Sequence, residues 1–444
     1  MNSIFSKYFF LNKCKQFFYL HSKLILFALL TSACLMLTMQ FFSSWHKNSL
    51  FNNFSKGSES LVIGKILHDQ FDSKEKNVGN LYIVNFEDSK IHENPQICID
   101  LVYANLVKKN KTKVYSFIPY ISQYGFQGIV FSFLFNKLDL SIDFLHLLTA
   151  FLTALVLSIL SYQYSRLFSV GFGFCFFVVC FLSPWLTNFA RNLYWVPFTW
   201  FLPAVISNWC FILKNNLKNK LIVYTVFTIG ICIKSLCGYE YLSSVILLAV
   251  APYLFLSITQ KKIEYLKVAF TLCILSIIGF VIAVLIHTIQ RSDNFFDGLI
   301  YLIKNDIERR CYGSADQFEH PLIKKSLDAS VIEVLKIYIL NWYSNVLYVG
   351  SIIGQKFWKL CLISVLLIIV EFVFFSKNRA KMYFALCLSF IFPPLSWFML
   401  AKAHTYIHTH LNYVLWYFGF VQSLYFVILG FVSSRLSEIF KRLN

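Results

Sequence analysis

The sequence predicts an all-α polytopic integral membrane protein with about ten transmembrane helices and two long extracytoplasmic loop regions that carry amphipathic or interfacial helices. Hydrophobic residues make up 57% of the 444 residues and charged residues only 14%. The mean hydropathy of +0.61 lies far above that of a soluble domain. Apolar runs that can fill a hydrocarbon core of about 30 Å recur along the chain, whereas a β-barrel would show short alternating segments.

The apolar runs are taken as spans by their length. The first, LILFALLTSACLMLTMQFF, exceeds the apolar core of a signal peptide and is expected to be retained. The ten predicted spans are 24–43, 143–162, 168–188, 195–213, 221–239, 242–258, 268–287, 357–375, 383–401 and 412–431. Residues 126–136 are too short to cross and form either a re-entrant helix or part of a loop. Residues 331–353 are predicted to be an interfacial helix, because counting them as a span would invert the sidedness of everything that follows.

The basic residues predict the orientation. The short connecting and terminal segments expected on the cytoplasmic side are 1–23, 163–167, 214–220, 259–267, 376–382 and 432–444. They hold 17 of the 40 Lys and Arg residues and only two acidic residues, and thus +15 of the net charge of +18. This is the positive-inside pattern, so both termini are predicted to be cytoplasmic. The charge therefore reports orientation, and no nucleic-acid partner is expected.

No linker or repeat divides the chain, which predicts one integral-membrane domain over 1–444 with outer loops at 44–142 and 288–356. Each outer loop holds one cysteine, Cys98 or Cys311, and these are either a disulfide pair or two unrelated thiols.

The first outer loop opens with KGSESLVIGKILHDQF, residues 56–71. Ser58 is a suitable N-cap, and the apolar residues recur near helical spacing, which predicts a juxtamembrane amphipathic helix near 58–71 that lies along the membrane surface. Glu59 falls in its first turn, where the helix dipole favours a carboxylate. Glu59 is therefore either a local helix-start residue or a functional acid.

This layout resembles the GT-C class of membrane glycosyltransferases, which transfer a sugar from a polyprenyl-phosphate carrier outside the cytoplasm. The features in common are the number of spans, the long first outer loop with a carboxylate on a juxtamembrane helix, and a second outer loop before the last spans. The resemblance implies that Glu59 acts as general base or binds the acceptor, with Asp69 and Asp72 as reserves. The expected partners are a polyprenyl-phosphate-linked sugar, a glycan or lipid acceptor and membrane lipids, and the expected location is the bacterial inner membrane.

Glycosyl transfer needs a base for the acceptor hydroxyl and cationic or hydrogen-bonding groups for the phosphate. Such groups occur at the predicted outer ends of the spans. In FARNLYWVPFTWFLP, Arg191 binds either a donor phosphate or ordinary lipid headgroups, with Tyr194 following in an interfacial belt. In KSLCGYEYLSS, Glu240 is the second candidate acid, and Lys234 and Tyr239 flank it as candidate binding residues.

Three further clusters complete the set. Lys402, His404, His408 and His410 in KAHTYIHTHLNYVLWYFGF bind phosphate or sugar, hold zinc, or are simple interfacial residues. No acidic ligand lies near them in sequence, so no metal cofactor is expected, although a divalent cation stays open.

Gln123 in PYISQYGFQG suits sugar recognition or marks an ordinary turn. Arg309 and Arg310 in DIERRCYG either bind an anionic substrate or pair with Asp306 and Glu308.

Two rival functions remain open. One is an O-antigen or capsule repeat-unit polymerase or ligase that uses a polyprenyl-diphosphate-linked glycan. The other is a lipid-linked-sugar flippase or transporter, for which charged or Gly/Pro-broken midplane spans would be expected.

Overall fold

The computed structural model describes residues 26–45, 51–71, 79–87, 94–108, 114–213, 216–340, 346–349, 352–353 and 356–443. In chain order the helices are α1 (Leu26–Ser43), α2 (Lys56–Phe71), α3 (Pro95–Lys108), α4 (Phe126–Leu138), α5 (Ile142–Leu167), α6 (Val170–Leu182), α7 (Pro184–Phe189), α8 (Phe198–Ile212), α9 (Leu217–Cys237), α10 (Leu242–Gln260), α11 (Ile263–Arg291), α12 (Phe295–Leu302), α13 (Pro321–Asp328), α14 (Val331–Leu340), α15 (Phe357–Val370), α16 (Lys377–Leu400), α17 (Lys402–Ile407), α18 (Thr409–Asn412) and α19 (Phe420–Leu443). Single π-helical turns, Ile303–Glu308 and Glu371–Phe375, continue α12 and α15, and short 3₁₀ turns occur at Ala315–Gln317 and Tyr413–Tyr417.

Within these ranges, eight helices are long and apolar enough to cross a membrane: α1, α5, α9, α10, α11, α15 with its π turn, α16 and α19. The chain is therefore an α-helical multi-pass membrane protein, as predicted. These eight helices overlap eight of the predicted spans, although the last one begins at Phe420, eight residues after the predicted start at 412. Residues 1–25, which hold the predicted N-terminal cytoplasmic segment, lie outside the described residues.

The other two predicted spans, 168–188 and 195–213, are shorter helices in the structure. Helix α6 ends at Leu182, and the Ser183 side chain then caps a new helix, α7, which has Pro184 at its first position. A proline suits a helix start because its missing N–H would have no partner there. Helix α8 has 15 residues and carries Pro203 inside it.

The helix starts follow from the local sequence. Ser141, Ser169 and Asn216 are N-caps, and the side-chain oxygen of each accepts a hydrogen bond from the backbone N–H three residues later. Such caps satisfy donors that the first helical turn leaves unpaired. They fix where α5, α6 and α9 begin.

The bundle is built around α10. This helix packs against α8, α11 and α16, and α8 also packs against α5 and α9. Helix α19 joins α6 to α15 on the far side. One buried hydroxyl group links two of these helices: Ser207 Oγ donates to the carbonyl of Ala249 at 3.0 Å, as polar side chains often do between helices of a membrane protein.

The described residues of five connecting segments lie at one end of this bundle, here called the rim: 44–141, 190–197, 238–241, 292–356 and 401–419. Each of them contributes residues to a single cavity described below. The rim is the end at which the sequence predicts the chemistry.

The first rim segment folds into a small layer of its own. Helix α2 covers the predicted helix near 58–71, and it packs against α3, α4 and strand β1 (Tyr82–Phe86), which pairs antiparallel with β2 (Val114–Pro119). A Cβ at Gly64 would lie 2.1 Å from the carbonyl oxygen of Tyr82, so glycine permits this close contact. The sequence predicts that this helix lies along the membrane surface with one polar side exposed. In the structure Lys65 and His68 are buried, so the helix is covered by its neighbours within the rim.

The second rim segment contains α12 to α14 and a second short antiparallel pair, β3 (Tyr348–Val349) with β4 (Ile352–Ile353). Helix α14 covers the start of the predicted interfacial helix 331–353, and residues 341–345 lie outside the described residues. The short stretch 126–136 lies in helix α4. The thiols of Cys98 and Cys311 are both free.

The opposite end of the bundle is held by a charge network. Glu371 is fully buried, and its carboxylate accepts from Arg379 Nε at 2.7 Å and from Arg435 at 3.4 Å. Arg435 also pairs with Glu438 at 2.7 Å and stacks on Phe375. A buried carboxylate is tolerated because it is paired and hydrogen-bonded, and here the pairing links α15, α16 and α19.

Candidate functional site

The rim encloses a polar cavity of about 330 Å³, here called the rim cavity. Its lining comes from all five rim segments: Ser58, Tyr120, Tyr194, Trp195, Glu240, Arg309, Arg310, His320, Leu322, Ile323, His404, Ile407, His408 and Leu411. One carboxylate, two guanidinium groups and three imidazoles therefore face one space.

A buried arginine between two carboxylates organises this cavity. A terminal nitrogen of Arg310 lies 3.6 Å from Glu240 Oε1, and its other terminal nitrogen lies 3.4 Å from Asp306 Oδ1. Burial acts to lower the pKa of Arg310, but Glu240 and Asp306 raise it further, so the guanidinium stays charged. Burial raises the pKa of Asp306 to about 6, against the opposing effect of Arg310. Both carboxylate contacts exceed the usual hydrogen-bond length, which leaves Arg310 able to take an incoming anion.

The position of Glu240 is set by the tight turn between α9 and α10. Lys234 Nζ donates to the carbonyl of Gly238 at 2.6 Å and so closes the end of α9. A Cβ at Gly238 would lie 2.5 Å from Gln123 Oε1 and 2.5 Å from Glu240 Oε2, so a larger residue there would displace the ends of both side chains. Gln123 is buried beside this turn, and neither of its amide atoms has a hydrogen-bond partner among the described residues.

Three histidines of the 401–419 segment, His404, His408 and His410, lie side by side in a row. His404 and His408 line the rim cavity, and His408 and His410 line a groove beside it. The rings of His404 and His408 are 4.6 Å apart between centroids, and those of His408 and His410 are 5.8 Å apart. Burial lowers the pKa of His408 to about 4 and that of His404 well below its usual value. Both imidazoles are therefore neutral near pH 7, and each can donate or accept a hydrogen bond.

Among the described side chains, no group of three or more His, Cys, Asp or Glu residues is arranged to hold a metal ion. The backbone N–H of His404 donates to the carbonyl of Arg310 at 3.1 Å, which connects the histidine row to the arginine segment.

Aromatic side chains and a second arginine complete the rim cavity. Tyr120, Tyr194 and Trp195 line it, and the Trp195 ring stacks on buried Tyr241 with 5.6 Å between centroids. Arg309 lies 3.5 Å from the Ser122 hydroxyl. Aromatic faces beside hydrogen-bonding groups suit a sugar ring.

Glu59 lies in a different place. It lines a separate side cavity of about 310 Å³, together with Arg191. Its Oε1 accepts from the Tyr103 hydroxyl at 2.6 Å and from His146 Nε2 at 2.9 Å, and its Oε2 accepts from the backbone N–H of Leu193 at 2.9 Å. Burial would raise the pKa of Glu59, but the charge of His146 and these hydrogen bonds hold it at about 2. Glu59 is thus a saturated, ionised carboxylate.

Three other predicted residues make structural contacts within the folded chain. Asp69 pairs with Lys65 at 2.8 Å and accepts from Ser132 at 2.6 Å. Lys402 donates to two backbone carbonyls at the end of α13, with 2.7 Å to that of Ala329. Tyr239 forms a 2.9 Å hydrogen bond with His287. None of the three predicted residues lines the rim cavity.

A largely apolar groove of about 620 Å³ adjoins the rim cavity. The two share Ser58, His408 and Leu411 as lining residues, and the groove continues past Phe54, Trp185 and His410. A polar cavity that opens into an apolar groove can hold a ligand with a polar head and a lipid tail.

Some lining residues carried little signal in the sequence. His320 precedes Pro321, and its ring accepts from the Leu322 N–H as a helix cap, so its sequence context indicates only a helix start. Tyr120 stands in the quoted Tyr–Gln stretch and could have been found there.

The fold and cavity define a multi-pass membrane protein with a charged, aromatic-lined site at one end of its bundle. No known protein family, curated protein or solved structure matches the chain. The functional argument therefore depends on the residues of the rim.

Proposed function

We propose that this chain is a membrane glycosyltransferase of the GT-C kind with ten spans and both termini cytoplasmic. It transfers a sugar from a polyprenyl-phosphate-linked donor to a glycan or lipid acceptor at the extracytoplasmic face of the bacterial inner membrane. The observation that carries the proposal is the rim cavity, which places Glu240 beside Arg310 and adds neutral imidazoles and aromatic faces.

The phosphate of the donor binds at Arg310 and Arg309. A guanidinium group holds a phosphate through charge-assisted hydrogen bonds and stabilises the negative charge that develops as the phosphate leaves. Because Arg310 is only 3.6 Å from Glu240, the arriving phosphate replaces this carboxylate as the partner of Arg310. Glu240 is then free to accept a proton.

Glu240 is the general base in this proposal. The acceptor hydroxyl attacks the anomeric carbon, its proton passes to Glu240, and the bond to the phosphate oxygen breaks. Glu59, which the family resemblance favoured, is a poorer base, because a carboxylate with a pKa of about 2 and three hydrogen-bond donors holds its proton weakly.

The apolar groove supports a lipid-linked donor. It adjoins the rim cavity at His408 and Leu411, so a phosphate at Arg310 leaves its isoprenoid chain on the groove side. A repeat-unit polymerase or ligase is the second candidate, and the neighbouring Arg309 and Arg310 favour it, because paired guanidinium groups suit a diphosphate.

The test combines a cellular and a purified assay. Surface polysaccharide from a strain that lacks this chain is analysed for composition and repeat number, and donor consumption is measured with the purified protein in nanodiscs. Loss of one branch sugar supports the transferase, and collapse to a single repeat unit supports the polymerase.

In the purified assay Arg310→Gln is expected to lose turnover by about 10²–10³-fold, while Arg166→Gln, which removes an exposed arginine at the opposite end of the bundle, stays active. Unchanged glycans in the deletion strain, or full activity of Arg310→Gln, would overturn the proposal.

A further inference from the structure

The side cavity around Glu59 is a second enclosed space at the rim. It is lined by Phe51, Asn52, Phe54, Lys56, Glu59, Tyr103, Ile142, Asp143, His146, Asn188, Arg191 and Asn192. It shares none of these residues with the rim cavity. The proposed transfer chemistry leaves this space unused.

A thin wall separates the two cavities. Consecutive residues of α2 face opposite ways, with Ser58 on the rim cavity and Glu59 on the side cavity. The Glu59 carboxylate accepts from the N–H of Leu193 at 2.9 Å and so fastens α2 to the 190–197 turn. In that turn Asn192 Oδ1 accepts from the N–H of Tyr194 at 3.0 Å. The wall is therefore a stable partition, and the side cavity is a site in its own right.

Two cations face the side cavity without an acidic partner. Arg191 donates to the carbonyl of Phe42 at 2.9 Å and to Asn52 at 3.1 Å, and its guanidinium stacks on Phe51 at 4.1 Å. Lys56 lies 5.2 Å from the centre of the Tyr103 ring. Neither has a carboxylate within 4.0 Å among the described residues. Arginine has five N–H donors, so Arg191 keeps donors for an anion.

One carboxylate of the same cavity also lacks a cation. Asp143 is exposed in the first turn of α5, and no basic group lies within 4.0 Å of it among the residues that the structure describes. Glu59 cannot take this role, because its oxygens are already bonded. The side cavity thus presents two cations and one carboxylate that are not in ion-pair contact, although the charges of Glu59 and Asp143 act on Arg191 over a longer distance and oppose the lowering of its pKa by burial.

The depth of the cavity identifies the source of its ligand. Phe42, which Arg191 contacts, is the penultimate residue of the spanning helix α1, and Ile142 is the first residue of the spanning helix α5. The side cavity therefore lies where two spans leave the hydrocarbon, which is the level of phospholipid headgroups.

From this geometry we propose that the side cavity binds the phosphoethanolamine headgroup of a membrane phospholipid. The phosphodiester contacts Arg191 and Lys56, and the ammonium group contacts Asp143. This inference is independent of the proposed transferase function. The bound lipid strengthens the partition that also forms one wall of the rim cavity.

The experiment is lipid titration of the purified, delipidated full-length chain, read by native mass spectrometry and by thermal unfolding. Phosphatidylethanolamine is expected to bind at about fivefold lower concentration than phosphatidylglycerol, which has no cation for Asp143, the effect of one charged contact near a membrane surface. It is also expected to bind more tightly than phosphatidylcholine, because a quaternary ammonium has no N–H to donate to the Asp143 carboxylate. Asp143→Asn is expected to abolish the preference over phosphatidylglycerol, and Arg191→Gln to weaken binding of all three lipids.

Matched controls are Asp297→Asn and Arg166→Gln, which remove exposed charges outside the side cavity and should leave lipid binding unchanged. Because Arg191 also holds Phe42 and Asn52, its variant is scored only if it unfolds like wild type. If the Arg191→Gln variant is destabilised, Asp143→Asn alone decides the test, because Asp143 is exposed and its substitution removes no buried contact.

Soluble glycerophosphoethanolamine is titrated in parallel and should bind far more weakly than the lipid. Equal affinity for the three lipids, a preference that survives Asp143→Asn, or equally tight binding of the soluble headgroup would overturn the assignment.

Discussion

Two glutamates stand at the rim and differ in almost everything except burial. Glu240 has one arginine at 3.6 Å and faces the rim cavity. Glu59 has three hydrogen-bond donors between 2.6 and 2.9 Å and holds α2 to its neighbours. Under the proposed mechanism, a buried acid at the rim can act as a base only where its partners are few and exchangeable. A carboxylate with every oxygen occupied is part of the framework.

The contrast is tested most strongly by placing Glu240→Gln and Glu59→Gln in the same transfer assay. Glu240→Gln is expected to lower kcat by about 10²–10⁴-fold, because an amide cannot accept the acceptor proton. Folded Glu59→Gln is expected to stay within a few-fold of wild type. Glu264→Gln, at an exposed position on the opposite end of the bundle, is the control. An inactive but folded Glu59→Gln beside an active Glu240→Gln would reverse the two roles.

The second effect is on stability. Glu59→Gln is expected to lower the free energy of unfolding by about 3 kcal/mol. The substitution removes the negative charge that the buried hydrogen-bond donors around Glu59 contact in the folded chain. The measurement is the unfolding midpoint in detergent with and without the substitution. An unfolding midpoint equal to that of wild type would show that Glu59 does not stabilise the folded chain.

The same carboxylate predicts a dependence of stability on pH. Its pKa is about 2 in the folded chain against a usual value of 4.5, so the unfolded chain binds the proton more readily. The stabilisation is complete above about pH 4.5 and is lost as the pH falls toward 2. The difference in unfolding midpoint between wild type and Glu59→Gln should therefore shrink on acidification through this range. A constant difference would contradict the assigned pKa.

The smallest effect isolates a single contact. Tyr103→Phe removes the 2.6 Å hydrogen bond to Glu59 and is expected to cost about 1.5–3 kcal/mol of stability, as for hydrogen bonds to charged groups. Tyr115→Phe, at an exposed tyrosine on the neighbouring hairpin, is the matched control. If Tyr103→Phe and Tyr115→Phe changed the unfolding midpoint equally, the hydrogen bond from Tyr103 to Glu59 would not contribute to stability.

The sequence predicts the helical membrane class well because hydropathy and positive charge act over whole segments. It does not predict the break within 168–188, where one cap and one proline divide an apolar run that hydropathy reads as continuous. Hydropathy also gives no account of the buried layer around α2, since the packing of Lys65 and His68 depends on strands and helices brought from elsewhere in the rim segment.

The candidate site shows the same limit. The sequence singles out Glu240 and His408 at predicted span ends and Arg310 within the second outer loop, and the structure brings the three to one cavity. The pairing of Arg310 with Asp306 is one of the two alternatives that DIERRCYG suggests, and the structure shows it at 3.4 Å. The contact of Arg310 with Glu240 could not be foreseen, because the two residues are 70 positions apart and no pattern links them. The donors around Glu59 come from residues 103, 146 and 193, whose sequence neighbourhoods carry no motif.

The charge network opposite the rim has a consequence for how the chain enters the bilayer. Glu371 meets its first arginine eight residues later, at Arg379, but its second arrives only with Arg435 on the final helix. Until that helix is inserted, Arg379 alone neutralises the Glu371 carboxylate, and the contact that joins α15 to α19 is missing. A chain truncated before residue 435 would therefore keep the ion pair between α15 and α16 but lose the contact that ties the final helix to this end of the bundle.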